Sequence, residues 1–208
     1  MRDCLTLCGD VHGNISAYID LIKNSRFSIQ LGDLGFNYKL LTNISSKFHK
    51  ILAGNHDNYT IENNVFIKQT SHFLGDFGIH NVENIGTFFF VRGGQSIDKH
   101  MRLIGYDWWP EEEMSYGKCV ESLSAYEKAK PEYVISHECP ESLIKLLCEQ
   151  PFPPSRTACL LQSMFEIHQP KYWFFGHYHK SWDMMVNNTN FRCLNELEVF
   201  DIPYGGLK

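Results

Sequence analysis

The sequence predicts an α/β fold in which two mixed β-sheets pack face to face and helices cover their outer faces. Three observations lead there. Five short apolar runs stop abruptly at polar side chains able to bind metal: residues 5–8 at Gly9-Asp10-Val11-His12, 27–31 at Gly32-Asp33, 51–53 at Gly54-Asn55-His56-Asp57, 133–136 at His137, and 172–175 at Gly176-His177-Tyr178-His179. Short apolar runs of this kind are expected of strands buried on both faces. Stretches with helical spacing lie between several of these runs, and after His179 only short strand-like segments follow. Run ends bearing candidate ligands come from both halves of the chain, so residues 1–208 read as one domain.

The elements follow in order. Asn14 is placed to cap a first helix, on which Ile15, Ile19 and Ile22 share a face. Ser25-Arg26 breaks this pattern before the second strand. Residues 58–64 are polar and end the third unit, 64–73 carry no decisive pattern, and 73–78 read as a turn between strand-like stretches. Residues 87–91 are aromatic and β-branched, hence a strand, and 101–106 are expected to continue its sheet. The segment Trp108-Trp109-Pro110-Glu111-Glu112-Glu113 is irregular and opens a helix with Tyr116, Val120 and Leu123 on one face. Pro140-Glu141 starts another, with Leu143, Leu146 and Leu147 inward and the proline suited to the first helical position. Leu161, Phe165 and His168 mark a further helix, stopped by Pro170. The last strands are expected at 182–186, 191–194 and 198–202.

Bulk properties narrow the function. A chain of 208 residues, 43% hydrophobic and 21% charged, has the composition of a folded protein able to bury a substantial core. No run approaches the ~20 apolar residues a membrane span needs. Met1-Arg2-Asp3-Cys4 enters the first strand almost at once, which leaves no room for a cleaved signal peptide and makes a cytoplasmic location the expectation. A net charge of -5 argues against a broad basic track for nucleic acid, and two bound divalent cations would bring it formally to about -1. Seven cysteines without a Cys-x-x-Cys pair read as free thiols in a reducing compartment. Cys4 and Cys8 share a strand face, Cys119, Cys148 and Cys159 fall in helical patterns, and Cys139 is expected to be a bystander beside His137.

Ligand sites in such folds gather beyond the carboxyl ends of the strands. If the five runs lie side by side, their ends bring Asp10, His12, Asp33, Asn55, His137, His177 and His179 to one place, with His56 beside them. Oxygen and imidazole donors without thiolate suit a hard or borderline divalent ion. The number suffices for two ions, and a two-ion site suits hydrolysis of a phosphate ester. Asp10 and His12 flank Val11, a spacing suited to two ligands on one ion; His177 and His179 have the same spacing, and each could take a different ion. Asp33, alone after its strand, is the natural bridge, and Asn55 offers a neutral carbonyl oxygen. Glycines 9, 32, 54 and 176 are expected to let the backbone turn sharply. His49, His72, His80, His100 and His168 lie outside the pattern and read as non-ligands; Trp108 and Trp109 read as packing more than as substrate stacking. Asp98 could support a site residue or cap a turn.

Taken in order, Asp-x-His, Gly-Asp, Gly-Asn-His-Asp, a lone His and Gly-His-x-His resemble the calcineurin-like metallophosphoesterase superfamily from Asp10 to His179. The resemblance implies a four-layer αββα sandwich and two divalent metal ions, manganese first, with iron, zinc, nickel or magnesium as alternatives. It implies Asp10, His12, Asp33 and His179 on the first ion and Asp33, Asn55, His137 and His177 on the second. His56 would then act on the leaving group, with Asp57 orienting it. The implied activity is phosphoester hydrolysis by a metal-bridging hydroxide, with small phosphodiesters, nucleotide-type included, slightly ahead of phosphomonoesters. A small phosphate ester is thus the expected partner, without a membrane or an extended nucleic-acid surface, and the oligomeric state is not legible. A phosphomonoesterase or protein phosphatase is the alternative, and a non-catalytic metal-binding interaction scaffold of the same fold is another. Scaffold members lack the catalytic His, whereas Gly54-Asn55-His56-Asp57 is intact here. The chain departs from the protein phosphatases at Gly32-Asp33-Leu34-Gly35-Phe36, where they carry Asp-Arg-Gly and a phosphate-gripping Arg. Arg92, Lys99, Arg102 and Arg156 are the candidates to replace it.

Overall fold

Ten strands and four helices are seen in a computed structural model that describes residues 2–36, 38–59, 71–148 and 153–207. In chain order the elements are β1 (Arg2–Cys8), α1 (Ile15–Ile22), β2 (Ser25–Gln30), β3 (His49–Ile51), β4 (Phe77–Val82), β5 (Gly86–Val91) and α2 (Tyr116–Ala129). Then come β6 (Tyr133–Ser136), α3 (Glu141–Leu147), α4 (Arg156–Ile167), β7 (Tyr172–Phe175), β8 (Trp182–Val186), β9 (Thr189–Cys193) and β10 (Val199–Pro203). They form a four-stranded sheet in the order β10-β1-β2-β3 and a six-stranded sheet in the order β4-β5-β6-β7-β9-β8. Both are mixed. β1, β2 and β3 run parallel with β10 antiparallel, while β5, β6, β7 and β9 run parallel between antiparallel β4 and β8.

Alternation along the strands separates three apolar layers. Leu5, Leu7, Ile29 and Leu31 of the small sheet meet Phe88, Phe90, Ile135 and Phe174 of the large one in the layer between the sheets. The intervening residues Phe89, Val91, Val134, Trp173, Phe175 and Phe191 face the other way, onto Tyr126, Leu143, Leu161, Met164 and Phe165 of α2, α3 and α4. Ile15, Tyr18 and Ile22 of α1, with Trp109, pack on the outer face of the small sheet, where they meet Cys8 of β1 and Ile51 of β3. This is the expected sandwich.

Helix ends follow the caps. Asn14 accepts from the Ala17 amide, Ser115 from Lys118 and Ser155 from Ala158, so each supplies an acceptor to an amide that the first turn leaves unpaired. Pro140 stands at the N-cap of α3, one position before the one expected. In that helix Ile144 turns inward and Leu146 is 52% exposed, which corrects the expectation for Leu146. Tyr116 and Val120 do share a face of α2, yet it is the open one, at 74% and 69% exposure. Residues 101–106 do not extend the sheet, because β4 and β6 already occupy both edges of β5. They follow a tight helical turn at Lys99–Met101, and the Asp107 carboxylate accepts from the Leu103 amide at 2.6 Å. The polar residues 58–64 and the undecided 64–73 fall largely outside the described residues. Among the described residues, no helix is long and apolar enough to cross a membrane.

Phe191 sits at the centre of the larger core, edge-on to Phe165 at 5.1 Å and stacked on Trp173 at 5.5 Å. Phe191→Ala is expected to cost about 3–5 kcal/mol, the range for removing a buried aromatic ring. Urea unfolding should show it as a lower midpoint at unchanged slope.

Candidate metal centre

The parallel strands β1, β2, β6 and β7, and the segment after β3, end on the same side, and each end carries a polar turn. The turns are conformationally demanding. His12 (φ 46), Asp33 (φ 59), His177 (φ 68) and His179 (φ 49) all lie in the left-handed region, which side chains other than Gly rarely adopt. Hydrogen bonds hold them there: the Val11 and His12 amides both donate to the Asp33 carbonyl at 3.0 and 2.9 Å, and the His177 amide donates to the Asp10 carboxylate at 3.1 Å. The glycines act differently from expectation. Of the four strand-end glycines only Gly32 (φ 108) uses left-handed freedom. At Gly9, Gly54 and Gly176 the need is for space, since a Cβ would run into the Asn195 carbonyl, Asp33 Oδ1 and Asp10 Oδ1 respectively.

All seven predicted donors converge, in two overlapping sets. Asp10, His12, Asp33 and His179 each present a ligand atom within 4.8 Å of the others. Within this set His12 Nε2 and His179 Nε2 are 2.8 Å apart, and His179 Nε2 is 3.1 Å from Asp10 Oδ2. The second set meets around Asn55 Oδ1, with His137 Nε2 at 3.0 Å and His177 Nδ1 at 2.9 Å. His137 Nε2 also lies 3.2 Å from Asp33 Oδ1, so Asp33 belongs to both sets. His49, His72 and His168 are engaged elsewhere, with Ser28, the Ile44 carbonyl and the Pro131 carbonyl.

A further layer of contacts aims these donors. His137 Nδ1 donates to the Leu31 carbonyl at 2.9 Å, which leaves Nε2 as the lone-pair nitrogen facing the cluster when the ring is neutral. The Asn55 amide donates to Ser96 Oγ at 3.1 Å, and Ser96 in turn donates to Glu112 at 2.6 Å. That chain turns the Asn55 carbonyl oxygen inward. Glu196 Oε1 sits 3.1 Å from His179 Nδ1, a carboxylate behind an imidazole. Ser96, Glu112 and Glu196 escaped the sequence reading, since no strand end marks them. Cys139 is fully buried in the larger core, as expected of a bystander.

Charge balance in this buried cluster calls for cations. Burial opposes ionisation of Asp33, but His137 and His56 outweigh it and hold the carboxyl well below its usual range. Burial likewise opposes the His137 imidazolium, yet Asp33 and Asp10 push it up to about 10. His177 goes the other way, to about 3, through burial and the neighbouring His137 charge. The same buried carboxylates that favour a proton on His137 would favour a divalent cation beside them. Two buried carboxylates, a carbonyl oxygen and four imidazoles, with neighbouring donor atoms 2.8 to 3.9 Å apart, fit the O- and N-donor chemistry of such ions.

His56 lines a cavity of about 390 Å³ beside the cluster, with Asp33, Asn55, His177 and His179, and its ring packs edge-on to His12 at 4.9 Å. Asp57, expected to orient this ring, bonds to the backbone of the neighbouring turns. The Asp57 carboxylate accepts from the Asp33 and Gly54 amides at 3.0 and 2.8 Å and from the Tyr38 hydroxyl at 3.2 Å, which fixes the two turns. Burial and the Asp33 charge raise its pKa to about 7. The His56 ring instead meets the Arg102 guanidinium, and Asp98 holds Arg102 from behind with Oδ1 2.8 Å from Nε. Arg92 is committed elsewhere, buried with Asp76 and the Glu111 carbonyl, and Arg156 lies over the Tyr116 ring. Trp109 is buried against Phe36 at 5.5 Å, the packing role expected of it.

Fold and cluster together define a four-layer sandwich with a candidate metal site at its strand ends. The family model for calcineurin-like phosphoesterases matches residues 5–181, and the chain belongs to that family. Among solved structures, TT1561 of Thermus thermophilus aligns with a TM-score of 0.52 at 11% identity, over 95% of this chain and 91% of that one. A putative 5'-nucleotidase from Staphylococcus aureus, in complex with alpha-ketoglutarate, aligns with a TM-score of 0.53 at 13% identity, over 96% of this chain and 50% of that one. The present chain therefore spans about half the length of that protein. A phosphopantetheinyl hydrolase from Mycobacterium tuberculosis aligns at 14% identity over 94% of this chain and 91% of that one, with a TM-score of 0.49. The first two of these likenesses show the fold. No curated protein sequence matches the chain.

Proposed function

We propose that the chain is a dinuclear metal-dependent phosphoesterase acting on small phosphate esters, with phosphodiesters preferred. One observation carries this reading: two four-donor sets that share Asp33 open onto a cavity that also holds His56. In it Asp10, His12, Asp33 and His179 hold one divalent ion, and Asp33, Asn55, His137 and His177 hold the other, with manganese the first choice. When bound, such ions lower the pKa of a coordinated water and offset charge on phosphate oxygens. Asp33 presents one carboxylate to both sets, and its negative charge would favour two cations bound close together. His56 gives a proton to the departing alkoxide. Ile97, Cys148 and Tyr178 also line the cavity, beside Gln95, Asp98 and Arg102, and offer a partly apolar seat for a second ester substituent, which a monoester lacks. The phosphomonoesterase reading has one observation in its favour, the Arg102 cation on the cavity wall.

Manganese-dependent cleavage of bis(p-nitrophenyl) phosphate against p-nitrophenyl phosphate separates these readings. Faster turnover of the diester is expected. Faster turnover of the monoester would reverse the preference, and silence on both would favour a non-catalytic scaffold. His56→Ala is expected to keep its metal and lose 10²–10⁴-fold in rate, the usual worth of general acid catalysis. That loss should shrink for p-nitrophenolate, which leaves without a proton, and stay large for an alkyl ester. An equal loss for both would give His56 another role.

A further inference from the structure

The Arg102 side chain is only 12% exposed, and its donors outnumber its acceptors. Nε is 2.8 Å from Asp98 Oδ1, and Nη1 is 3.3 Å from the Asp107 carbonyl. Nη1 also points at His56 Nδ1 (3.2 Å) and Nη2 at His56 Nε2 (2.8 Å). A neutral imidazole accepts at one nitrogen and an imidazolium at neither. One of these two contacts at most is therefore a hydrogen bond. Of the five N–H groups of a guanidinium, at least two then find no acceptor among the described residues. Arg102 lines the cavity together with His56, Asp33 and Asn55. Donors that lack a protein acceptor and face a cavity are open to a ligand there, which can accept from them in place of water.

We propose that Arg102 binds a non-bridging oxygen of the substrate phosphate from the wall of the cavity that His56, Asp33 and Asn55 also line. The assignment deepens the phosphoesterase reading and rests on it. A planar guanidinium suits phosphate because two of its N–H groups can meet two oxygens at once. Asp98 on Nε and the Asp107 carbonyl on Nη1 supply the rigidity, and the N–H groups left over by these contacts and by His56 belong to a side chain that lines the cavity. The loop beyond β5 that failed to become a strand thus has a use. It carries Arg102 inward while Met101, Leu103, Ile104 and Tyr106 around it stay exposed.

Two measurements test this, one of them independent of turnover. In the first, inorganic phosphate is titrated into manganese-loaded protein by calorimetry. Arg102→Ala should weaken binding roughly 10–100-fold, as expected for a charge-assisted hydrogen bond, and Arg102→Lys should recover part of it. In the second, kcat/KM is compared on the two nitrophenyl substrates. Arg102→Ala should lose about 100-fold on the dianionic monoester and about 10-fold on the monoanionic diester, since the cation meets more charge on the former. Unchanged phosphate affinity, or equal losses on both substrates, would overturn the assignment. Loss of manganese from Arg102→Ala and Arg102→Lys alike would overturn it too, by making Arg102 a support of the scaffold. If the wild type hydrolyses neither substrate, the phosphoesterase reading fails, while weaker phosphate binding in Arg102→Ala would still support the clamp.

Discussion

Asp33→Asn is expected to abolish hydrolysis, by on the order of 10³-fold or more, and to lower metal occupancy at both positions. The carboxylate is almost fully buried, and its Oδ1 accepts from the His56 amide at 2.7 Å while lying 3.2 Å from His137 Nε2. Asparagine keeps the size but removes the negative charge from the one side chain common to both donor sets. The fold should survive, since the side chain stands beyond the end of β2 and the backbone bonds from Val11 and His12 go to the Asp33 carbonyl. His12→Ala should behave differently, with one ion largely lost and the other retained. Metal content and circular dichroism of the two variants decide the matter, and full two-metal occupancy in Asp33→Asn would remove the bridge.

Gly54→Ala is expected to have the next largest effect, although it adds a single methyl. That Cβ would fall on Asp33 Oδ1, 2.6 Å from the Asp33 amide nitrogen and 2.7 Å from His137 Nε2. Both of those side chains supply donors, so relief of the clash must move a ligand atom. Displacements of about 1 Å at a reacting centre can cost 10²-fold, whereas overpacking of this kind costs about 1–3 kcal/mol in stability. Activity and metal content should therefore fall much further than the urea midpoint. A variant with full metal content and rate would show that the turn relaxes elsewhere.

What could be read from the sequence depended on how each residue is held. Tyr133–Ser136 and Tyr172–Phe175 were legible to their ends because both faces of these strands are buried, which makes every position but Ser136 hydrophobic or aromatic. β4 was hidden, because it lies at a sheet edge and carries Gly78, His80 and Asn81 among its six residues. The candidate ligands were legible because strand ends deliver them, so that sequence position and spatial position coincide. Ser96, Glu112 and Glu196 act on Asn55 and His179 through tertiary contact, which no local pattern records. Arg102 could be named as a candidate cation from the sequence. Its place against His56 required the loop to fold back on the site, and the apolar look of residues 101–106 pointed instead to a strand. The division of the strands between two sheets follows from packing across β1 and β5 and was not legible in detail.

Whether two ions share Asp33 is decided by a stoichiometric titration. Protein stripped with chelator is titrated with manganese while cleavage of bis(p-nitrophenyl) phosphate is followed. The expected result is no turnover in the stripped protein and a rise that breaks at two equivalents per chain. A break at one equivalent with full activity, or no turnover at saturating manganese, would contradict the two-ion site.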